Sequence, residues 1–231
     1  MKHPELENTL QSFLETLAEV DILIQFAKTY TADELKYMTF NKSALLLLTT
    51  KFETFVESIA EQYIYVLNHL NLPCNDIPKI LRLHHSQYIL ENFKKYQNLR
   101  DFQRHATELT DLSLLWDSEK PFNRLKIECK FSYGKHGGKE LQRLFKQIGI
   151  DNIFSSVNIF RERENMWDDK PQKIHVDFKS IFNRIVNMRN NIIHEDASPG
   201  LTCGVVDDYK ELFKDFATEL TIVLTNQLQS F

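Results

Sequence analysis

Cysteine is scarce in this chain. Cys74, Cys129 and Cys203 are its three cysteines, far apart and without a C-x-x-C pair. An odd, scattered set supports neither a disulfide framework nor a zinc site, and it fits a reducing compartment. Glycine and proline are also few, at six each in 231 residues. So small a supply of turn formers disfavours a many-stranded sandwich and favours long helices. Long apolar runs are missing too: the longest aliphatic run, Ala44 to Leu48, falls far short of the ~20 residues that span a bilayer. The opening MKHPELENTL is polar and acidic, unlike a secretory signal. The expectation is a cytoplasmic protein with no membrane contact. Excess positive charge is absent as well. A net charge of −4 and a pI near 6.1 exclude a protein that coats nucleic acid by broad basicity. They leave room for a local basic cleft, or one assembled from two subunits.

What the chain has is apolar residues at helical spacing. Leu6, Leu10, Phe13, Leu17, Val20 and Ile24 mark one face of a helix ending near Thr29. Asn41 reads as an N-cap, followed by Leu45, Leu48, Phe52, Phe55, Ile59, Tyr63, Val66 and Leu70 in the same rhythm. Pro73 forbids continuation. Asp76-Ile77-Pro78 reads as a cap with proline in the first turn, starting a helix to about Tyr96, and another runs from about Leu99 to Leu115. Alternation at Leu125, Ile127, Cys129 and Phe131 predicts a short strand or extended segment. Gly134 to Gly138 is a loop, Lys139 to Ile148 a helix, and Asn152 to Lys173 an irregular charged stretch. Phe178, Ile181, Ile185, Met188 and Ile192 stripe the penultimate helix, ended by Asp196-Ala197-Ser198-Pro199-Gly200. Val206 to Val223 stripe the last, capped by Asp207 or Asp208. The expected fold is all-α: a bundle of about six to eight helices forming one domain over residues 1–231, with 116–175 a partly irregular insertion.

Chemistry concentrates in Arg189-Asn190-Asn191-Ile192-Ile193-His194. Arginine neutralises a phosphate bidentately, and histidine moves protons near neutral pH. Opposite the apolar stripe lie Asn183, Asn187, Asn190 and His194, with Asn191 at the edge. Each interior asparagine costs up to ~0.7 kcal/mol of helix propensity relative to alanine. Four of them point to hydrogen bonding in a site or across an interface. The bland alternative is a histidine that merely complements the helix C-terminus.

The Arg189, Asn190 and His194 pattern resembles the signature of the HEPN superfamily, an arginine, four to six residues and a histidine, with a polar residue commonly following the arginine. Leu141 to Ile150 (LQRLFKQIGI) and Leu45 to Ile59, with Phe52-Glu53-Thr54-Phe55, are similar to segments of larger prokaryotic members, of the RiboL-PSP or MAE-type branches. The resemblance covers about residue 5 to the end. It implies an RNA endonuclease, a hydrolase of toxin or antiviral-defence type that works without a metal or cofactor. Homodimers would set two Arg/His pairs in a shared cleft, under an antitoxin or other regulatory partner. By the same resemblance the catalytic group is Arg189, His194 and Asn190. Asn187, Asn191, Arg184 and Glu53 bind substrate or support the site. Members regulated by a partner nucleotidyltransferase carry tyrosine two places after the histidine. Asp196 stands there, which puts that control in doubt.

Other signals have plainer readings. Gly134 to Glu140 fails phosphate-loop spacing and is a loop entering a helix, where Lys135 and Lys139 face solvent or RNA. His84 and His85 are a helix-surface pair rather than a metal site. Glu53 and Glu57, one turn apart, are either a buried acid that supports Arg189 or a partly exposed pair. Arg161 to Glu164 reads as solvated. Besides the nuclease, two functions fit the sequence: a non-catalytic HEPN module that binds RNA or nucleotide, and a helical dimer whose seam is the asparagine stripe.

Overall fold

In the computed structural model, residues 3–95, 102–117, 119–132, 134, 136–163, 172–195 and 200–231 are described. The first two stripes become α1 (Pro4–Thr29) and α2 (Glu34–His69). They run antiparallel, as Phe26 stacks on Phe40 at 5.3 Å while Phe13 stacks on Phe55 at 4.7 Å. Then come a 3₁₀ turn (Cys74–Asp76), α3 (Lys79–Lys95), α4 (Phe102–Asp117), α5 (Gly138–Gln147) and the short α6 (Ile153–Ser156). Strands β1 (Phe160–Arg163) and β2 (Gln172–His175) pair antiparallel, Phe160 opposite His175, ahead of α7 (Phe178–Glu195) and α8 (Cys203–Gln229). Eight α-helices and one two-stranded ribbon among the described residues make the fold all-α. No helix among them is long and apolar enough to cross a membrane.

Helices α1, α2, α7 and α8 share one core, with α2 packed against the other three. At its centre Phe52 of α2 stacks on Phe213 of α8 at 4.1 Å and meets Phe182 of α7 edge-on at 5.4 Å. Phe178 stacks on Phe216 at 3.9 Å. Each buried phenylalanine contributes about 1.5–3 kcal/mol of transfer free energy, and the offset and T-shaped geometries add to it. The Phe-rich faces are therefore core.

Four sequence expectations are corrected. Asn41 is no cap: α2 starts seven residues earlier behind Asp33, whose carboxylate accepts from Lys36 N at 3.1 Å. Asp76 closes the 3₁₀ turn, and α3 begins after Pro78. Ile77 stays extended because a residue preceding proline is kept out of the helical region. Helix α8 starts at Cys203 behind Thr202, whose Oγ1 accepts from Val205 N at 3.2 Å, while Asp207 instead pairs with Lys210 at 2.7 Å. His85 is buried rather than on the surface, with Nδ1 accepting from Lys126 N at 2.9 Å.

The alternation from Leu125 is real, since Leu125 and Cys129 are buried between exposed neighbours. The segment is extended but pairs with side chains instead of a strand. Leu125 N donates to Asn68 Oδ1 at 2.8 Å, and Phe131 N donates to Glu57 Oε1 at 2.8 Å. The strands lie instead in the stretch read as irregular and solvated, where Arg161 belongs to β1. The ends expected at Tyr96 and Leu99, Lys135, Trp167 to Pro171, and Asp196 to Pro199 lie outside the described residues.

Asn41 is fully buried with neither amide atom partnered. A buried amide without a hydrogen bond costs about 1–3 kcal/mol, and leucine keeps the same branched outline without polar atoms. Asn41→Leu should therefore raise the unfolding free energy by about 1–3 kcal/mol, measured by urea titration. An unchanged or lower midpoint would show that the amide has a partner in solution.

Candidate functional site

Helix α7 is started by Asp177, whose carboxylate accepts from Ser180 N at 3.1 Å and Ser180 Oγ at 2.6 Å. These bonds hold the Asp177 carboxyl below its ordinary range. Phe178, Phe182, Ile185, Val186 and Ile192 are its buried face. Arg189 follows Ile185 by four residues and Val186 by three, so its stem leaves the helix on the side toward α2. Its guanidinium is then turned by Asn190, as Nη1 donates to Asn190 Oδ1 at 3.1 Å. Asn190 lies one turn before His194 on the same face. The arginine head is thereby drawn toward the face from which the histidine projects. Arg189 is half-buried, and His194 is exposed in the last turn. Among the described residues no carboxylate closes on Arg189 at ion-pair distance, so most of its five donors are unspent.

Across from Arg189, Glu53 of α2 is mostly buried, with its Oε1 2.9 Å from Nδ1 of His136. The two atoms are at ion-pair distance without the alignment of a hydrogen bond. Burial pushes the Glu53 carboxyl above its ordinary range, while the positive charges of His136 and Arg189 pull it back and Glu57 pushes it up again. Burial wins. Glu53 thus shares one electrostatic neighbourhood with Arg189 and His136. Glu57 is taken by the backbone of Phe131.

A family model of RiboL-PSP-HEPN matches residues 11–226. The chain belongs to the RiboL-PSP-HEPN family. No curated protein and no solved structure matches it. The family match covers α2 and α7 entirely and most of α1 and α8, so the Arg189 to His194 run sits inside the matched region.

The polar stripe of this HEPN chain divides in two. Asn183 faces inward, its Oδ1 accepting from Gly138 N at 2.8 Å, and Asn190 is bound to Arg189. Asn187 and Asn191 are exposed with His194. Arg184 is not brought to Arg189. It lies over Tyr209 at 5.7 Å in a groove of about 460 Å³ between α7 and α8. A second groove of about 500 Å³ runs between α1 and α2, also away from the cluster.

Sequence reasoning missed His136. It sits beside Gly137, whose φ of +98° only glycine adopts readily and whose Cβ would come within 3.1 Å of Asn183 Oδ1. The glycines around this histidine were legible as a loop. What they serve, a tight seat against α7, was not.

Because Glu53 binds its proton more tightly in the folded chain, wild type loses stability as pH climbs from about 4.5 through the raised folded value. Glu53→Gln lacks that loss. Its melting temperature minus that of wild type should therefore widen with pH above about 4.5 and then level off. Parallel curves in thermal scans from pH 4 to 8 would contradict the buried, raised carboxyl.

Proposed function

We propose that this chain is an RNA endonuclease that uses the 2′-hydroxyl of its substrate as nucleophile, a reaction that needs no metal. The observation that carries the reading is the guanidinium of Arg189. It is aimed by Asn190, meets no carboxylate at ion-pair distance among the described residues, and lies within a matched HEPN region five residues before His194. In this reading the 2′-oxygen attacks the adjacent phosphorus and His194 takes the 2′-proton as general base. Arg189 stabilises the charge building on the phosphorane oxygens, and Asn190 holds the guanidinium in place. The products are a 2′,3′-cyclic phosphate and a 5′-hydroxyl. Asn187, Asn191 and Arg184 track flanking RNA, and Glu53 supports the cluster.

The working unit in this proposal is a homodimer. The exposed side chains of Asn187, Asn191, His194 and Ile193 on α7 supply a face for it. Pairing two chains doubles the arginines near one cleft in a protein of net negative charge. The biological role proposed is a cytoplasmic toxin or antiviral effector held in check by an antitoxin or other regulatory partner.

Wild type, Arg189→Ala and His194→Ala, each expressed from an inducible promoter, test this. Wild type should arrest growth and generate new 5′-hydroxyl RNA ends, and the purified protein should cleave RNA in EDTA. Each substitution should lower cleavage by about 10²–10³-fold or more. RNA bound equally by all three soluble proteins without cleavage would favour the binding-module reading. A changed oligomeric state in Asn187 or Asn190 variants, with no RNA binding, would favour the structural dimer.

A further inference from the structure

Cleavage by 2′-hydroxyl attack moves two protons: one leaves the 2′-oxygen and one must reach the departing 5′-oxygen. Arg189 carries no proton between them at neutral pH, and His194 accounts for one. We infer that His136, from the loop before α5, is the general acid that protonates the 5′-oxygen. The inference rests on the nuclease reading above.

Four observations place it there. The carboxylate of Glu53 lies 2.9 Å behind Nδ1, the orienting arrangement that leaves a histidine's other nitrogen to do proton transfer. That other nitrogen, Nε2, has no partner among the described residues and is not among their buried atoms, whereas Nδ1 is buried. The charges of His136 and Arg189 both act on Glu53, so ring and guanidinium share its electrostatic neighbourhood. The loop is also pinned to the motif helix itself. Gly138 N donates to Asn183 Oδ1 at 2.8 Å, and a Cβ on Gly137 would meet Val186 Cγ1 at 4.0 Å. Val186 precedes Arg189 and Asn190 by three and four residues, which sets the loop beside the turn that presents them.

The ion pair with Glu53 is complete only when the ring is protonated, the form from which a general acid starts. As the 2′-oxygen–phosphorus bond forms, His194 accepts the 2′-proton. As the phosphorus–5′-oxygen bond breaks, Nε2 of His136 gives its proton to the 5′-oxygen. Water then returns a proton from His194 to His136, and the enzyme is reset with no net gain or loss. Asn183, the one stripe asparagine far from the Arg–His pair, acquires a purpose as the clamp on the acid's loop.

The test compares two leaving groups. Wild type, His136→Ala, His136→Gln, Glu53→Gln and His194→Ala are assayed on an RNA oligonucleotide and on the four ribonucleoside 3′-(4-nitrophenyl phosphates). Nitrophenolate departs without a proton. Both His136 variants should lose about 10²-fold or more on RNA yet fall within a few-fold of wild type on the nitrophenyl esters. Glu53→Gln should follow them with a smaller loss, and His194→Ala should be impaired on both substrates. Circular dichroism and affinity for a 2′-deoxy oligonucleotide should match wild type, which separates lost chemistry from lost folding. Equal losses on both substrates, or no loss on RNA, would overturn the acid role while leaving the nuclease standing. The second result would assign that proton to His194 of a partner copy. Failure of wild type itself to cleave RNA would overturn the nuclease reading and the acid role with it.

Discussion

Phe52 sets the rotation of α7 and α8 on α2. Its ring lies 4.1 Å from Phe213 and edge-on to Phe182 at 5.4 Å, wedged among side chains of two other helices in a close-packed interior. Glu53 is the next residue along α2, so the packing that seats Phe52 also fixes where that carboxylate points. The same packing turns the Arg189 side of α7 toward it. Core and candidate site are therefore joined through Phe52 and Glu53, successive residues of α2, and a shift in one moves the other.

The cluster is costly for the fold. A carboxylate beside the core loses water that only two cations replace, and burial still prevails over their attraction. Elsewhere the chain avoids such expense. Lys210, itself mostly buried, is met by Asp21 and Asp207 at 2.5 and 2.7 Å, and both acids keep a share of solvent. Glu53 has no equally good arrangement, and its neighbours are the residues that carry chemistry in the proposed reaction. Unresolved electrostatics of this kind gather at functional sites, where stability is given up for reactivity.

Long-range order was legible where one side-chain period governed many turns. The stripes of α1, α2, α7 and α8 each repeat over four turns or more, and apolar residues at that spacing have one stable way to meet. Boundaries were less legible because caps are local contests. Asn41 has the right side chain for a cap but falls on the buried stripe, and Asp33 does that work eight residues earlier. The Leu125 to Phe131 segment shows period two without a sheet, since its backbone groups found Asn68, His85 and Glu57, partners far away in sequence. At the site, Arg189, Asn190 and His194 were readable as a string within one helix. Glu53 was readable only as half of a carboxylate pair with Glu57, either buried or partly exposed. His136 was not, because its meaning lies in a glycine loop seated on Asn183, 45 residues away.

In the proposed reaction the substrate's own 2′-hydroxyl is the nucleophile at the Arg189–His194 site. The direct measurement uses an RNA oligonucleotide with one mapped cleavage position, compared with the same strand bearing a single 2′-deoxy nucleotide immediately 5′ to the scissile phosphate. The deoxy strand should bind as tightly and not be cut there, while the all-ribose strand should yield a 2′,3′-cyclic phosphate by mass spectrometry. Cutting at the deoxy position, or 3′-hydroxyl ends from the ribose strand, would contradict it.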